Sequence, residues 1–591
     1  MRKAIIFGVD GLTMPLLQRY VAQGALPHIA RMLQQGSAAE LLPFISAWGD
    51  VNWVTFLTGQ SPGTSWIGQG LPPDNQQSHN LLATLQEAGQ RAALVHFPES
   101  VKADGDHFSF APYWGRAQPW PGEIFRPMGH TTRLSERLGQ GGAKQQTLGW
   151  PPKSALAYHN KGAWQALEVS EEGYVLWLRG GQGDELALTL QVEQGQPSLL
   201  LGEQRVVLPI GEWSAWLSLA AYDIPGCVRF YCGECDTQGN IEILQSQVTR
   251  ADALSSDTRY LQQQTPFFSK WVAKAAPHTP YLAATWQEGD EQSQWLVDSA
   301  LELTQRQGFA LWATVHRLVD ESHHNCLGQT DPDSPFFDAQ QAEQHDAVMR
   351  RSYQILDHSI GRLLDETDEE TLVMLASDHG AVPNSYMCDI YRYLQKQALA
   401  VLDAQGLPDM ARSPLYLKAE RGGLEIFVNH DVVAPQQVDD LCARTLQALS
   451  GWQVQEGDGV RNAVSIALRR DDAVALGFWG DCAGDIVFAY NTGFVWGVSQ
   501  TGEDICAVEE PGANHGPQKP TAETALGSNY GVMLAWGKGI RQGYYHPRQQ
   551  RGPYRMTDPA ATLAHWLGLD TRDLDGRIMS EIFDTPQEPQ S

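Results

Sequence analysis

A short apolar run, Thr371 to Leu375, ends in Ala376-Ser377-Asp378-His379-Gly380. A run of this length without polar alternation reads as a strand buried on both faces of a parallel sheet. Such a strand delivers the residues after it to the C-terminal edge of the sheet, where open α/β sheets carry their sites. Those residues are a carboxylate beside an imidazole, two strong metal ligands. The plainer alternative is a turn that Asp378 starts and Gly380 closes, and the rest of the chain decides between the two.

With 591 residues the chain is too long for one simple core, so roughly two to four domains or large insertions are expected. No stretch reaches the length of a membrane span. The opening Met1-Arg2-Lys3-Ala4-Ile5-Ile6-Phe7-Gly8-Val9-Asp10 has an apolar run shorter than a signal-peptide core, and Asp10 ends it. It reads as a first strand, and the expected location is cytoplasmic. A formal net charge of -27 with no offsetting basic tract argues against binding a nucleic-acid polymer. An acidic chain can still handle small anions when metal ions supply positive charge locally. The eight cysteines show no framework spacing. Cys232-Gly-Glu-Cys235, the one close pair, has strand-like flanks, so free thiols in a reducing compartment are expected. The sequence is silent on oligomeric state.

Read in order, residues 4–9 form a strand, followed by helices at Met14 to Gln23 and Ile29 to Gln35, a strand at Glu40 to Pro43 and a helix at Val54 to Thr58. From 111 to 287 the texture changes. Trp, Gly and Pro become frequent, and Gly173 to Arg179, Glu185 to Val192, Ser198 to Leu201 and Val228 to Tyr231 look antiparallel. The α/β rhythm then resumes with a helix at Leu296 to Arg306, strands at Ala310 to Val315 and Thr371 to Leu375, and a helix from Met349 to Leu364 between them. A strand at Gly531 to Ala535 and a helix at Ala560 to Leu567 close the chain. The expected organisation is a metal-binding α/β core from 1–110, 288–411 and 473–591, a β-rich inserted subdomain at 111–287, and a small α+β insertion at 412–472. The central sheet is expected to be mostly parallel and flanked by helices.

Four separated segments place ligand-type residues after strands or in loops: Asp10, Asp320 with His324, Asp378 with His379, and His515. Taken singly, each has an ordinary reading as a cap, a chance helical pair or a loop residue. Together, three carboxylates and three imidazoles suit two divalent ions with three protein ligands each. Zinc is the first choice, and manganese or iron is served by the same donors. Two such ions can clamp a phosphoryl group.

The order of these residues resembles the alkaline phosphatase superfamily, most closely its type I phosphodiesterase/nucleotide pyrophosphatase branch and the related phosphohydrolase/phosphomutase proteins. Gly8-Val9-Asp10-Gly11 with Leu26-Pro27-His28-Ile29-Ala30-Arg31-Met32-Leu33 is similar to the first block of that family, and Thr55-Phe56-Leu57-Thr58-Gly59 with Ser61-Pro62-Gly63 to its second. Gly211-Glu212-Trp213-Ser214, Ser377-Asp378-His379-Gly380 and Asp575-Gly576-Arg577 fit as well. The resemblance implies an alkaline-phosphatase-like fold. It assigns Asp320, His324 and His515 to one metal and Asp10, Asp378 and His379 to the other, with His323 one residue short of a ligand position. It also implies hydrolysis of a small-molecule phosphoester, with a phosphodiester or nucleotide pyrophosphate preferred.

One departure stands out. The family carries a Thr or Ser nucleophile ten residues before the Gly of Thr-Gly. Counting back from Gly59 gives Gly49, which has no side chain. Three readings are open. Asp50 takes the bridging position and water attacks; Ser46 attacks instead; or covalent transfer is lost, and the fold serves a non-hydrolytic step on a phosphorylated, phosphonate or carboxylate-rich metabolite, or binding alone. Asp50 also suits a helix N-cap, and Ser46 an ordinary loop hydroxyl. Asn52 either donates to a phosphoryl oxygen or stabilises the turn.

Overall fold

The structure, a computed structural model, describes residues 1–46, 49–64, 80–98, 107–109, 128–133, 164–179, 185–221, 224–246, 248–250, 282–418, 423–499 and 502–584. Parts of the 111–287 segment and the tail at 585–591 lie outside them.

The central sheet is built from β1 (Lys3–Val9), β2 (Ser37–Leu42), β3 (Ala92–Val95), β4 (His107–Ser109), β5 (Leu311–His316), β6 (Thr371–Ala376), β7 (Gly531–Trp536), β8 (Tyr544–Tyr545) and β9 (Tyr554–Arg555). Its order is β8-β2-β7-β6-β1-β5-β3-β4, with β9 also paired to β2. The middle of the sheet is parallel: β1 runs beside β5 in the register Ala4↔Leu311 and beside β6 in the register Ala4↔Leu372. Every residue of β5 and β6 is buried, as helices on both faces require. β7 is the exception in direction, antiparallel to both β6 and β2. Its apolar run gives no sign of this, because direction leaves no mark on a doubly buried strand.

Helices α1 (Met14–Ala22) and α2 (Pro27–Gln35) each carry a proline in the first turn, where the missing N–H costs nothing. Together with α4 (Leu282–Leu301) and α6 (Ala342–Glu366) they cover one face of the sheet. The other face takes α3 (Gly49–Thr58) and α7 (Asp558–Leu567). α3 is buried from Val51 to Thr58 and inserts Trp53 over β1. Gly8 makes this possible, since a Cβ there would lie 2.7 Å from the Trp53 ring and 2.3 Å from the Thr314 carbonyl oxygen. Phe56 and Phe97 meet the same indole edge-on at 5.6 and 5.7 Å.

α4 begins well before Leu296, so residue 287 falls inside a continuous helix, and its last turn widens into a π-helical segment at Glu302–Arg306. Its first turns, Leu282-Ala-Ala-Thr-Trp-Gln, are good helix formers with little apolar periodicity to betray them. The β-rich segment contains a five-stranded antiparallel sheet spanning Glu168–Ser170 to Gln204–Val207 and two smaller sheets, around a core that includes Leu176, Leu188, Leu199 and Phe230. The run expected from Val228 to Tyr231 is split at Arg229 into Ile224–Val228 and Phe230–Cys235. The buried Arg229 leaves the sheet to reach Glu291 on α4 at 2.5 Å, and Trp213 Nε1 donates to the Ala284 carbonyl of the same helix at 3.1 Å. The small insertion forms a four-stranded sheet that includes Ile486–Tyr490, beyond residue 472, with the helix Val438–Gly451 against it. Cys232 and Cys235 lie in one strand, and all eight cysteines are free. Among the described residues no helix is long and apolar enough to cross a membrane.

Trp53→Ala is expected to destabilise the core by about 3–5 kcal/mol through the cavity it leaves, read as a lowered midpoint in denaturant unfolding at unchanged slope.

Candidate metal centre

Each ligand-type residue arrives by a short local route. β1 ends at Val9, and Asp10 follows with its amide bonded to the His316 carbonyl of β5. β6 ends at Ala376, and Asp378 and His379 come directly after. Ser377 fixes that turn, with its hydroxyl against the Leu12 and His379 carbonyls at 3.0 and 2.7 Å. After β5 the chain enters α5 (Leu318–Thr330) directly. Asp320 and His324 are therefore one helical turn apart and share a face, where the sequence suggests a strand end or loop. His515 lies in the loop before β7. Asn529 shapes that loop by accepting from the Gly516 amide at 3.2 Å and donating to the Gln518 and Lys519 carbonyls.

The structure brings all six residues together in two triads. Asp320, His324 and His515 form one, and Asp10, Asp378 and His379 the other; within each triad one ligand atom from every residue lies within 4.8 Å of the others. The triads adjoin, since the His379 and His515 rings stack with centroids 3.8 Å apart and planes 3° from parallel.

The donor atoms have the character of a cation site. Both oxygens of Asp378, Asp320 Oδ1, His379 Nε2 and His515 Nδ1 are buried with no hydrogen bond of proper geometry among the described residues. Buried polar atoms that lack a well-formed hydrogen bond are costly unless a cation meets them. His379 Nδ1 is used up on the Gly380 carbonyl at 2.9 Å and His324 Nδ1 on the Ala513 carbonyl at 2.6 Å. Their Nε2 atoms are thereby turned inward, the usual way in which a metal-binding histidine is held. His379 Nε2 lies 3.1 Å from Asp10 Oδ1 and 3.0 Å from Asp378 Oδ2, and His324 Nε2 lies 3.2 Å from Asp320 Oδ1. The residues fit two divalent ions.

The electrostatics of the metal-free protein say the same. Burial pushes the Asp378 carboxyl up to about 7. Burial works against charge on Asp10 most strongly, but the Arg317 guanidinium and the His379 imidazole together outweigh it and bring that carboxyl down to about 2. For His379 burial opposes protonation, yet the Asp378 and Asp10 carboxylates override it and hold the imidazole well above its ordinary range. Asp320 raises His324 in the same way. His515 moves well down, through burial and the neighbouring His379 charge. In each triad the neighbouring carboxylates thus favour a proton on one histidine.

The other expected residues fall differently. Gly49 is the first residue of α3, and a Cβ on it would lie 2.4 Å from Asp378 Oδ2, 3.0 Å from His379 Nε2 and 3.6 Å from Asp10 Oδ1. Position 49 therefore points into the second triad. The Asp50 side chain lies outside the described residues, and Ser46 is buried at 1% exposure. Asn52 Oδ1 accepts from the Phe44 amide at 2.7 Å and Nδ2 donates to the Phe44 carbonyl at 3.2 Å, bonds that hold the chain before α3. His323 is buried with Nε2 3.2 Å from the Tyr353 hydroxyl. Sequence reasoning missed Arg317, which contacts Asp10 and sits 2.7 Å from Asp320. Its spacing of three from Asp320 at the start of a helix was the available signal.

Two adjoining triads of oxygen and nitrogen donors, at the end of a mostly parallel sheet with helices on both faces, define an alkaline-phosphatase-like fold. The family model of type I phosphodiesterases and nucleotide pyrophosphatases matches residues 4–518, and the chain belongs to that family, within a superfamily of phosphoesterase-like hydrolases. Among solved structures it is similar to murine ectonucleotide pyrophosphatase/phosphodiesterase 5, inactive and in complex with AMP, at 12% identity over 99% of this chain and 100% of that one, with a TM-score of 0.46. It is also similar to wild-type alkaline phosphatase PafA (14% identity, 98% and 99% coverage, TM-score 0.46). A third similar structure is the phosphonoacetate hydrolase of Sinorhizobium meliloti 1021 in complex with phosphonoformate (12%, 96% and 95%, 0.43). No protein in the curated set matches the sequence.

Because the neighbouring carboxylates raise the proton affinity of His379 and His324 in the metal-free protein, a divalent ion competes with protons for those nitrogens. Zinc titrated into chelator-stripped protein at neutral pH is expected to release protons, and apparent affinity to rise with pH. Calorimetry in buffers of different ionisation enthalpy measures both.

Proposed function

We propose that the protein is a dinuclear metal-dependent hydrolase of small phosphate esters, preferring a phosphodiester or nucleotide pyrophosphate to a monoester, in which water and not a side-chain hydroxyl attacks phosphorus. The observation that carries this reading is the pair of adjoining triads with position 49 aimed at the buried one and bare. Asp320, His324 and His515 would hold one ion, and Asp10, Asp378 and His379 the other. Nitrogen and oxygen donors in sets of three favour zinc, and manganese or iron would also be served. When bound, such ions polarise the phosphoryl group and offset charge on the attacking and leaving oxygens. The chain's own part is to hold the donors rigidly and to leave room beside them. A threonine or serine at position 49 would put its Cβ within 2.4 Å of Asp378 Oδ2 in this arrangement. The preference for diesters follows the family, and a net charge of -27 supports a small substrate over a polymer.

The bare position 49 also favours a second reading, a non-hydrolytic metal-dependent step on a phosphorylated, phosphonate or carboxylate-rich metabolite. Metal analysis with a screen of aryl diesters and monoesters separates the two. The first reading expects two ions per chain, loss of diester hydrolysis on chelation and its return with zinc. It expects Asp378→Asn to lose activity by a factor on the order of 10² or more, the upper end of what removing even an outer partner costs. It also expects oxygen from labelled water in the product of a single turnover, with no phosphorylated protein on quenching. Two ions without hydrolysis would favour the second reading, and absence of metal would sink both.

A further inference from the structure

Arg317 touches both triads. It sits between β5 and α5, with its side chain 4% exposed. Its Nη1 donates to Asp10 Oδ2, and its Nη2 donates to Asp320 Oδ2 at 2.7 Å. Asp10 belongs to one triad and Asp320 to the other. The second oxygen of each carboxylate turns inward, Asp10 Oδ1 to 3.1 Å from His379 Nε2 and Asp320 Oδ1 to 3.2 Å from His324 Nε2. One planar guanidinium thus takes an outer oxygen from each triad and fixes the direction of the inner one. The stacked pair of His379 and His515 again draws one member from each triad, an independent tie between them. Glu321 approaches the same guanidinium at 3.9 Å.

We infer that Arg317 is a positioning residue that joins the two triads into one unit, so that the cradle is set before any ion enters. This rests on reading the triads as metal sites. A guanidinium fork can fix the planes of two carboxylates at once, whereas an ammonium supplies charge without that geometry. Arg317 therefore bears on both ions equally although it ligates neither.

The test uses the full chain stripped with chelator and titrated calorimetrically with zinc alone, with cobalt(II) in parallel for its visible absorption. Arg317→Met removes the charge at similar length, and Arg317→Lys keeps charge and stem but loses the fork. The expected result is that both variants bind about tenfold or more weakly at both steps, in line with the loss of an outer-shell partner, with altered cobalt bands at both steps. Wild-type affinities in Arg317→Lys would show that charge alone suffices and overturn the inference. Tighter binding in Arg317→Met would overturn it as well, by making the guanidinium a competitor of the ions, and so would weakening confined to one step. If Arg317→Met does not fold, Arg317→Lys decides by the same criteria. Wild-type protein that takes up no zinc would bring down the metal-site reading itself, whereas normal wild-type uptake with unaltered variants would bring down this inference alone.

Discussion

Three carboxylates from three distant stretches of chain, Asp10, Asp320 and Asp378, are buried together at one end of the central sheet. Charge taken out of water in this way must be compensated where it lies, or the fold loses several kcal/mol. The compensation defines the neighbourhood. Arg317 meets two of the carboxylates from outside, and the inward nitrogens of His379 and His324 meet all three from within. The sheet order serves this arrangement. β1, β5 and β6 are adjacent and parallel, so their C-terminal ends release Asp10, Arg317 with α5, and Asp378 with His379 into the same small volume.

The loop before α3 completes the surroundings by what it withholds. Asn52 ties that loop to itself through Phe44, which places the start of α3 against the second triad. At that point the chain offers a hydrogen in place of a side chain, and the close approach of Asp378 and His379 depends on it. Gly49 is thus a shape requirement of the present cradle as well as a missing hydroxyl.

Much of this was legible in the sequence because metal chemistry and doubly buried strands both leave strong local marks. β6 matched its apolar run almost to the residue, and the six ligand-type residues stood at segment ends that the structure gathers into one place. The features that were not legible had at most a weak local mark. Arg317 is a lone cation after a strand, and only the crossing of two separate carboxylates gives it a role. The reversal of β7, the early start of α4 in non-periodic helix formers, and the reach of the small sheet to Ile486–Tyr490 are all decided by partners far away in sequence. Asn52 had two open readings, and its bonds to the backbone of Phe44, eight residues back, supply the turn-stabilising one.

The pairing of β2 carries a consequence for biosynthesis. All of its partners, β7, β8 and β9, come from residue 531 onward. A buried strand near the N-terminus therefore waits with both edges open until nearly the whole chain has left the ribosome, on the order of a minute at about 5–20 residues per second. During that interval Ser37-Ala-Ala-Glu-Leu-Leu42 is a nascent edge free to pair with other chains. The single charge within it, Glu40, is the natural guard against such pairing. In the finished protein that carboxylate is taken up by Arg548 and Tyr545, which arrive with the last strands.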